Sequence, residues 1–221
     1  MIDGARVLAL IPARAGSQRL PGKNLRPFNG RPLIDWTLDA ALGAPAIDAV
    51  AVTTDDPAVA ALAAARGATV IDRPADLAGA DASVFDAIAH ALEVLALGIV
   101  GGHWDYLVLL QPTSPLRTAA DVQGAVALCH ARSAPAVVGV SPPPKPAAFH
   151  RRVTDGVIGP AGDLDDLRVI NGAIYVGRPD RLLADRRFDV PGALAWIMPA
   201  ERGWDIDTAA EFAAAEAVMR G

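Results

Sequence analysis

Apolar and polar positions alternate in two different ways along the first 140 residues of the chain. Five short, continuous apolar runs predict buried strands: residues 6–11, 49–53, 69–71, 106–110 and 136–140. Between them, apolar positions recur every three or four residues and predict helices: residues 33–42, 58–66, 82–97 and 121–132. Because strands and helices alternate, we predict a three-layer α/β fold, with a mostly parallel twisted sheet and helices on both faces.

The alternation breaks after residue 140. Residues 141–167 contain a proline triplet, scattered glycines and an acidic stretch, and they predict an excursion from the sheet, a hairpin or a dimerisation arm. Beyond it the pattern predicts two strands and a closing helix, at residues 173–176, 195–198 and 208–219. Either Asp207 or Thr208 would cap that helix. We therefore predict one domain over residues 1–221, with an excursion at 141–170 inside it.

Composition narrows the class of protein. The chain has 221 residues, 52% of them hydrophobic, and a net charge of −5, which indicates a folded core and argues against a general nucleic-acid binder. No apolar run approaches the roughly 18–20 residues of a membrane span, and the N-terminus does not resemble a signal peptide. The single cysteine, Cys129, excludes an internal disulfide and a cysteine-based zinc site. We expect a cytoplasmic protein.

Positive charge is concentrated near the N-terminus. Between Val7 and Ile34 the chain has no acidic residue and five basic ones: Arg14, Arg19, Lys23, Arg26 and Arg31. In an acidic protein this is a local positive field that suits a small polyanion such as a triphosphate, although a solvated basic loop would show the same composition. Lys23 is one of only two lysines in the chain.

The segment after the first predicted strand is rich in glycine, and such a loop can wrap phosphates with its backbone N–H groups. It is not a Walker A loop, because five residues separate Gly16 from Gly22 and Asn24 stands where Ser or Thr would bind magnesium. It also lacks the G-x-G-x-x-G pattern. Both P-loop hydrolases and dinucleotide oxidoreductases are therefore disfavoured.

Two carboxylates near the C-terminus have the spacing of a cation site. In an extended segment, Asp205 and Asp207 would project to the same side. Mg²⁺ typically binds one or two carboxylates together with substrate phosphates, so the pair predicts a Mg²⁺ site. The alternative is that Asp207 only caps the final helix.

Several motifs occur in the order of one known family. The loop R-x-x-S-x-R-L-P-G-K at 14–23 resembles that of nucleotidyltransferases that make activated sugars. Five further stretches resemble segments of the acylneuraminate (sialic acid) cytidylyltransferases: TTD at 53–55, RPADLA at 73–78, LQPTSPLR at 110–117, NGAIY at 171–175 and DIDT at 205–208. Octulosonic acid cytidylyltransferases share the first loop but carry a DVQGDEP-like segment where this chain has LQPTSPLR.

The resemblance implies a fold and a reaction. The fold would be the Rossmann-like nucleotide-diphospho-sugar transferase fold. The reaction would be a Mg²⁺-dependent transfer of a cytidylyl group from CTP to a 2-keto-3-deoxy sugar acid, giving a CMP-sugar and pyrophosphate, by a homodimer. Two other classes stay open: a glycosyltransferase of similar (GT-A-like) architecture, and a non-catalytic nucleotide-binding scaffold. The first is disfavoured because Gln111-Pro112, rather than Asp-x-Asp, follows the mid-chain strand.

The same resemblance implies the site residues. Catalysis would rest on Arg14, Lys23 and Asp207. The nucleotide would bind to Arg14, Ser17, Lys23, Asn24, Arg73 and Ser83. The acceptor would contact Gln111, Asn171 and Tyr175, and the metal would bind to Asp205 and Asp207.

Three departures from the family lie on the acceptor or dimer side. Gln18-Arg19 stands where many members have Lys-Gly, and Val169 stands where many have an arginine expected to meet the sugar carboxylate. The segment 141–167 is also shorter than usual. Other nonulosonic acids, an octulosonic acid or a small phosphonate are therefore alternative acceptors.

Overall fold

The computed structural model describes residues 2–17, 19–79, 82–97, 102–145, 150–154, 157–160 and 166–221. Strands in these residues are β1 (Val7–Pro12), β2 (Pro27–Phe28), β3 (Arg31–Pro32), β4 (Ala49–Thr54), β5 (Thr69–Asp72), β6 (Tyr106–Leu109), β7 (Ala136–Ser141), β8 (Arg151–Thr154), β9 (Val157–Pro160), β10 (Val169–Gly177) and β11 (Leu194–Ile197). Helices are α1 (Leu33–Leu42), α2 (Pro57–Ala65), α3 (Val84–Leu97), α4 (Ala119–Ala131), α5 (Pro179–Asp185) and α6 (Ala209–Arg220).

Seven of these strands form one sheet, in the order β11-β7-β10-β6-β1-β4-β5. β1 lies near the middle and pairs in parallel with β4 and β6, and β5 and β11 pair in parallel with β4 and β7. β10 runs antiparallel to both of its neighbours, β6 and β7. The predicted α/β fold with a mostly parallel sheet is confirmed.

Alternating side chains of the central strand build a core on each face of the sheet. Val7, Ala9 and Ile11 of β1 pack in a cluster with residues of α1, α2 and α4. Leu8 and Leu10 point to the other face, where residues of α3 and α5 cover them. Both sets are fully buried. This period-2 alternation, with helices on each side, makes the predicted three layers.

The last helix packs on a smaller cluster beside the main sheet. Phe212 of α6 meets Phe28 of β2 edge-to-face, with ring centroids 5.2 Å apart. Thr208 caps α6, because its side chain accepts from Glu211 N and the Glu211 side chain accepts from Thr208 N. The cap is therefore Thr208, and the carboxylate of Asp207 is left for other contacts.

The excursion contains a separate two-stranded antiparallel sheet, β8–β9, so the hairpin that the sequence predicted as one alternative is present. Other features of the fold were not predicted. β10 begins at Val169, four residues before the predicted strand, and its pairing with β7 is irregular between Ile170 and Tyr175. Helix α5 and the two-residue strands β2 and β3 are too short to produce a periodic pattern. Parts of the predicted excursion, residues 146–149, 155–156 and 161–165, lie outside the described residues, as does Gln18.

Across the described ranges, every helix is too short or too polar to cross a lipid bilayer.

Candidate active site

A cavity of about 570 Å³ opens at the carboxyl ends of β1, β5 and β6. Parallel sheets bind ligands at this edge, because the loops that follow neighbouring strands converge there. The predicted site residues that line the cavity are Arg14, Ser17, Lys23, Asn24, Arg73, Ser83, Gln111, Asp205 and Asp207. The fold thus brings together residues that are up to 193 positions apart in the sequence.

Lys23 is buried on the floor of this cavity, with 8% of its surface exposed. Its Nζ donates to the Ile206 carbonyl at 2.6 Å and to Asp207 Oδ1 at 3.1 Å. Gly22, at φ 66°, makes the left-handed turn that directs the chain into a single 3-10 turn beginning at Lys23. Arg19, which sequence reasoning did not assign to the site, reaches the other Asp207 oxygen at 2.9 Å.

Two further residues that line the cavity, Arg14 and Arg73, form what we call its cationic wall. Arg73 is buried, and its guanidinium donates to Thr53 Oγ1 at 3.2 Å and to the Thr53 carbonyl at 3.1 Å. Burial lowers the pKa of Arg73, the Arg14 charge adds to that shift, and Asp55 opposes it. Arg14 donates to the Gly79 carbonyl. The two fixed cations make this wall attractive to an anion.

Smaller polar groups line the same cavity. Asn24 is buried and donates from Nδ2 to the Arg14 carbonyl at 3.1 Å, so it holds the loop that carries Arg14. Ser83 accepts from the backbone N–H of Phe85 at 3.2 Å, and it lines the cavity together with Val84. The N-terminal end of α3, where partial positive charge accumulates, therefore faces the same space.

Asp205 and Gln111 meet beside a glycine. Gly172 has φ +72°, and a Cβ built on it would lie 3.0 Å from Gln111 Oε1 and 3.1 Å from Asp205 Oδ2. Only glycine combines this backbone conformation with such a close approach. The Ile206 N–H donates to the Thr113 carbonyl at 2.8 Å, which ties the Asp205–Asp207 segment to the loop after β6.

The surroundings of Asp205 raise its pKa. Its surface is exposed to the cavity, yet desolvation by the cavity wall is the largest cause, and the charge of Asp207 acts in the same direction. The Thr113 side chain and Lys23 oppose the shift. Two carboxylates that repel each other on one wall form a site that a cation would stabilise.

The donor set of this wall fits Mg²⁺ bound partly by its substrate. Within the described residues, no group of three or more His, Cys, Asp or Glu side chains could hold a metal. Asp205 and Asp207 both line the cavity. Two carboxylates suit a hard cation that completes its shell with water and phosphate oxygens, and they would not suffice for an all-protein cage.

A second cavity, of about 280 Å³, shares Gln111 and Val84 with the first. Its floor is apolar, and the Tyr175 ring packs against Phe188 with centroids 4.8 Å apart. Burial raises the pKa of Tyr175, and the charges of Asp205 and Asp189 add to the shift. Tyr175 therefore lines the second cavity and not the one lined by Arg14 and Arg73.

Two arginines at this second cavity are already paired. Arg186 donates to Asp86 at 2.8 Å, and Arg187 makes a two-pronged pair with Asp189 at 3.1 and 3.0 Å. Sequence reasoning missed these residues, because they follow the unpredicted helix α5 in a loop without a periodic pattern. Only the charge of the Arg-Arg pair could have marked them.

Asn171 lines neither cavity. It is buried, and its Nδ2 donates to Ser141 Oγ at 2.9 Å and to Met198 Sδ at 3.3 Å. Its Oδ1 accepts from the Ala173 N–H at 3.1 Å. The side chain thus holds the irregular part of β10 in place, and direct contact with an acceptor, which the sequence predicted, does not follow from this position.

Comparison with known proteins agrees with this geometry. The family model described as cytidylyltransferase matches residues 8–127. The chain is 33% identical over 217 residues to N-acylneuraminate cytidylyltransferase of Escherichia coli, covering 94% of this chain and 50% of that protein. It is 32% identical to CMP-N,N'-diacetyllegionaminic acid synthase of Legionella pneumophila, covering 97% of this chain and 96% of that protein. The chain therefore spans only half the length of the first relative.

A third relative matches a shorter stretch. The 3-deoxy-manno-octulosonate cytidylyltransferase of Synechococcus elongatus is 42% identical over 115 residues, or 51% of this chain and 47% of that protein. A solved structure of CMP:2-keto-3-deoxy-manno-octonic acid synthetase complexed with CTP covers 98% of this chain and 99% of its own, with TM-score 0.67 and 21% identity. At that identity it supports the fold alone. By the family model and the full-length similarity to the Legionella protein, this chain belongs to the cytidylyltransferase family of nucleotidyltransferases.

Proposed function

We propose that this protein transfers the cytidylyl group of CTP to a 2-keto-3-deoxy sugar acid of the sialic acid type, giving a CMP-sugar and pyrophosphate. The observation that carries the proposal is the arrangement of one cavity. Arg14 and Arg73 of its cationic wall line the same cavity as a buried Lys23 and two carboxylates, Asp205 and Asp207. Positive groups beside a carboxylate pair suit a metal-bound triphosphate better than any uncharged ligand.

The cations of the cavity bind and orient the phosphates. In-line attack at the α-phosphorus increases negative charge on the equatorial oxygens and on the leaving pyrophosphate. The Ile206 carbonyl holds the Lys23 ammonium in the cavity at 2.6 Å, so its position is set before the charge develops. Its second contact, with Asp207 at 3.1 Å, is the one that phosphate would replace when CTP binds. Donors fixed in advance stabilise the transition state because they need no reorganisation during the reaction.

Asp205 and Asp207 would hold Mg²⁺ in this proposal. The bound ion would neutralise phosphate charge and orient the triphosphate. The raised pKa of Asp205 supports the assignment, because a desolvated carboxylate next to a second one is stabilised by the added positive charge of an ion.

The second cavity would receive the acceptor. Gln111 lies on the border of both cavities, so an acceptor hydroxyl near Gln111 would face the phosphates. The apolar floor, which includes Tyr175 and Phe188, favours an acceptor with an apolar substituent such as an acylamino group. A small phosphonate would leave that floor uncovered. An octulosonic acid remains the second candidate, because the Synechococcus relative carries that name.

We place the protein in the cytoplasm in this proposal, since CTP is made there. We also propose that it is a homodimer, since the excursion exposes apolar surface. Val157 in the β8–β9 hairpin is 69% exposed, and Val169 and Ile170 at the start of β10 are 44% and 47% exposed. Exposed apolar side chains on the excursion and on the strand that follows it suit a contact surface. Light scattering should give twice the chain mass of 22.8 kDa, and Val157→Asp should shift it to the monomer mass. A monomeric wild type would exclude the dimer.

Pyrophosphate release tests the reaction. The protein would be incubated with Mg²⁺ and CTP, ATP, GTP or UTP, each with N-acetylneuraminate, pseudaminate, legionaminate, an octulosonic acid or 2-aminoethylphosphonate. We expect release with CTP and a nonulosonic acid. Release that needs no acceptor, or none with any pair, would contradict cytidylyl transfer. CTP binding without release would favour the scaffold, and a glycosyltransferase would consume a nucleotide sugar without producing pyrophosphate.

A further inference from the structure

Arg117 is a buried cation without a counter-ion. Its surface is 3% exposed, and in the described part of the chain no carboxylate forms an ion pair with it. The carboxylate of Asp121 has the largest electrostatic effect on Arg117. Arg202, however, already donates to both oxygens of that carboxylate, each at 3.0 Å. Burial lowers the pKa of Arg117, although the group still carries its charge at neutral pH.

Stability alone does not explain an arginine at this position. Taking a cation out of water costs free energy, and the Arg117 Nε–H has no hydrogen-bond partner among the described residues. An apolar side chain of the same volume would avoid both costs. The function of Arg117 must therefore lie in what its remaining donors hold.

The guanidinium joins three elements of the fold: strand β10, the loop after β6, and helix α1. Nη1 donates to the carbonyl of Ala173 in β10 at 2.6 Å and to the carbonyl of Gln111 at 3.2 Å. Nη2 donates to Oγ1 of Thr37 in α1 at 2.7 Å. A planar fork with fixed donor directions can satisfy three such acceptors at once, and the flexible ammonium of a lysine cannot.

Two of these acceptors, the carbonyls of Gln111 and Ala173, belong to segments at the junction of the two cavities, the place where Gln111 borders both. Gln111 borders both cavities, and Ala173 follows Gly172, beside which Gln111 and Asp205 meet. The loop that starts at Gln111 also accepts the Ile206 N–H at Thr113. Arg117 thus fixes the loop that carries Gln111 against the strand and the segment that carry the other groups of the site.

We propose that Arg117 is a positioning residue that sets Gln111 relative to Asp205 at the junction of the two cavities. The inference rests on the proposed function, in which that junction is where acceptor and nucleotide meet. Arg117 contacts neither substrate. The residues of the cationic wall, Arg14 and Arg73, lie on other loops, so the loss of Arg117 should affect turnover more than CTP binding.

The test compares Arg117→Met and Arg117→Lys with a matched control, Arg66→Met. Arg66 also joins two helices, through Asp35 and Asp39, but it lines neither cavity. We expect kcat of Arg117→Met to fall at least about tenfold, since a displacement of about 1 Å can cost about 10²-fold. The KM for CTP should change less than about threefold, and Arg117→Lys should lie between Arg117→Met and wild type. Arg66→Met should keep wild-type kcat while losing stability.

Hydrogen exchange supplies a readout that needs no substrate. In Arg117→Met, the amides of 111–116, 171–174 and 205–207 should exchange faster than in wild type, and Arg66→Met should leave them unchanged. If Arg117→Met does not fold, Arg117→Lys is measured alone in both assays. Wild-type kcat in the folded Arg117 variants, or unchanged exchange in those segments, would overturn the proposal. An inactive wild type would overturn the proposed function instead, and the exchange data would still decide the position of Arg117.

Discussion

Lys23 Nζ lies 3.1 Å from one oxygen of Asp207, and Arg19 Nη2 lies 2.9 Å from the other. One carboxylate therefore holds two cations that both line the cavity. In the proposed reaction, Lys23 and Arg19 would exchange their contacts with Asp207 for contacts with phosphate oxygens, and Asp207 would bind the metal. Nucleotide and metal binding would then favour each other. Phosphate bound to the cations would free the carboxylate for the metal, and metal bound to the carboxylate would free the cations for phosphate.

Asp207→Asn should separate the two events. Without the carboxylate charge, Lys23 and Arg19 are free to bind phosphate, so CTP affinity in EDTA should rise by up to about fivefold, which corresponds to about 1 kcal/mol for a partly exposed pair. Turnover with Mg²⁺ should fall by about 10²-fold or more, because the proposed metal site loses a ligand. Calorimetric titration with CTP, with and without Mg²⁺, would measure both effects.

The control for this experiment is Asp180→Asn, which removes an exposed carboxylate of α5 whose ion partner, Arg178, is 3.7 Å away. It should change neither CTP affinity nor turnover. If Asp207→Asn remained active with an unchanged Mg²⁺ dependence, Asp207 would not be a metal ligand. A fall in CTP affinity in EDTA would contradict the prediction. It would mean that Lys23 and Arg19 need Asp207 to keep the orientation that binds phosphate.

Lys23→Ala should lower turnover by about 10²–10³-fold, the usual effect of losing one donor that stabilises developing charge. CTP binding should weaken much less, since Arg14 and Arg73 remain. Lys145 is the second lysine of the chain and is exposed, so Lys145→Ala is a matched control that should keep wild-type turnover. Steady-state pyrophosphate release would measure both variants. Equal turnover in the two would remove Lys23 from the mechanism.

Local patterns predicted the helices with a clear apolar periodicity and the strands that are continuous apolar runs. Helix α1 begins and ends where its apolar spacing does, at Leu33 and Leu42, and β4 and β6 were placed to within one residue. These strands are buried on both faces, so a continuous apolar run marks them without ambiguity. Nothing in such a run records direction, and the antiparallel pairing of β10 with β6 was therefore not predictable.

The residues of the first cavity were easier to predict than those of the second. Arg14 lies two residues after β1 and Lys23 lies in the same loop, so their place along the chain indicates their place at the carboxyl edge of the sheet. The second cavity depends on Phe188, which follows a short and strongly charged helix, and on the bulge of β10. Contacts that depend on how distant segments pack leave no local pattern.

Gly172→Ala should reduce turnover by about tenfold or more. The added Cβ would press on Gln111 and Asp205 at 3.0–3.1 Å, and a misplacement on that scale is costly at a reacting centre. Gly67→Ala is the matched control, because Gly67 has a similar φ of +82° but nothing within 4 Å of the new Cβ. Both variants should lose about 1 kcal/mol of stability or more through backbone strain. Only Gly172→Ala should lose activity, as pyrophosphate release would record.

Asp205→Asn should stabilise the protein at neutral pH while it abolishes turnover. A carboxyl whose pKa is higher in the folded state than in the unfolded state is harder to ionise when folded, so its ionisation reduces stability above the folded-state pKa. That penalty disappears as the pH falls to the ordinary value of 3.8. Urea unfolding should therefore show Asp205→Asn to be more stable than wild type at pH 7, by up to about 1 kcal/mol after solvent screening, and equal to it near pH 4.

Asp121→Asn should change the stability at pH 7 in the opposite direction, and it serves as the control. Burial alone would raise the pKa of Asp121, but hydrogen bonds from Arg202 and Thr118 outweigh it and lower the pKa below 3.8. Its ionised form therefore stabilises the fold, an effect present above pH 3.8 and lost as the pH falls through the lower folded-state value. Asp121→Asn should be less stable than wild type at pH 7 and approach it in acid. A loss of stability in Asp205→Asn at pH 7 would mean that its carboxylate is held by a favourable contact rather than poised for a cation.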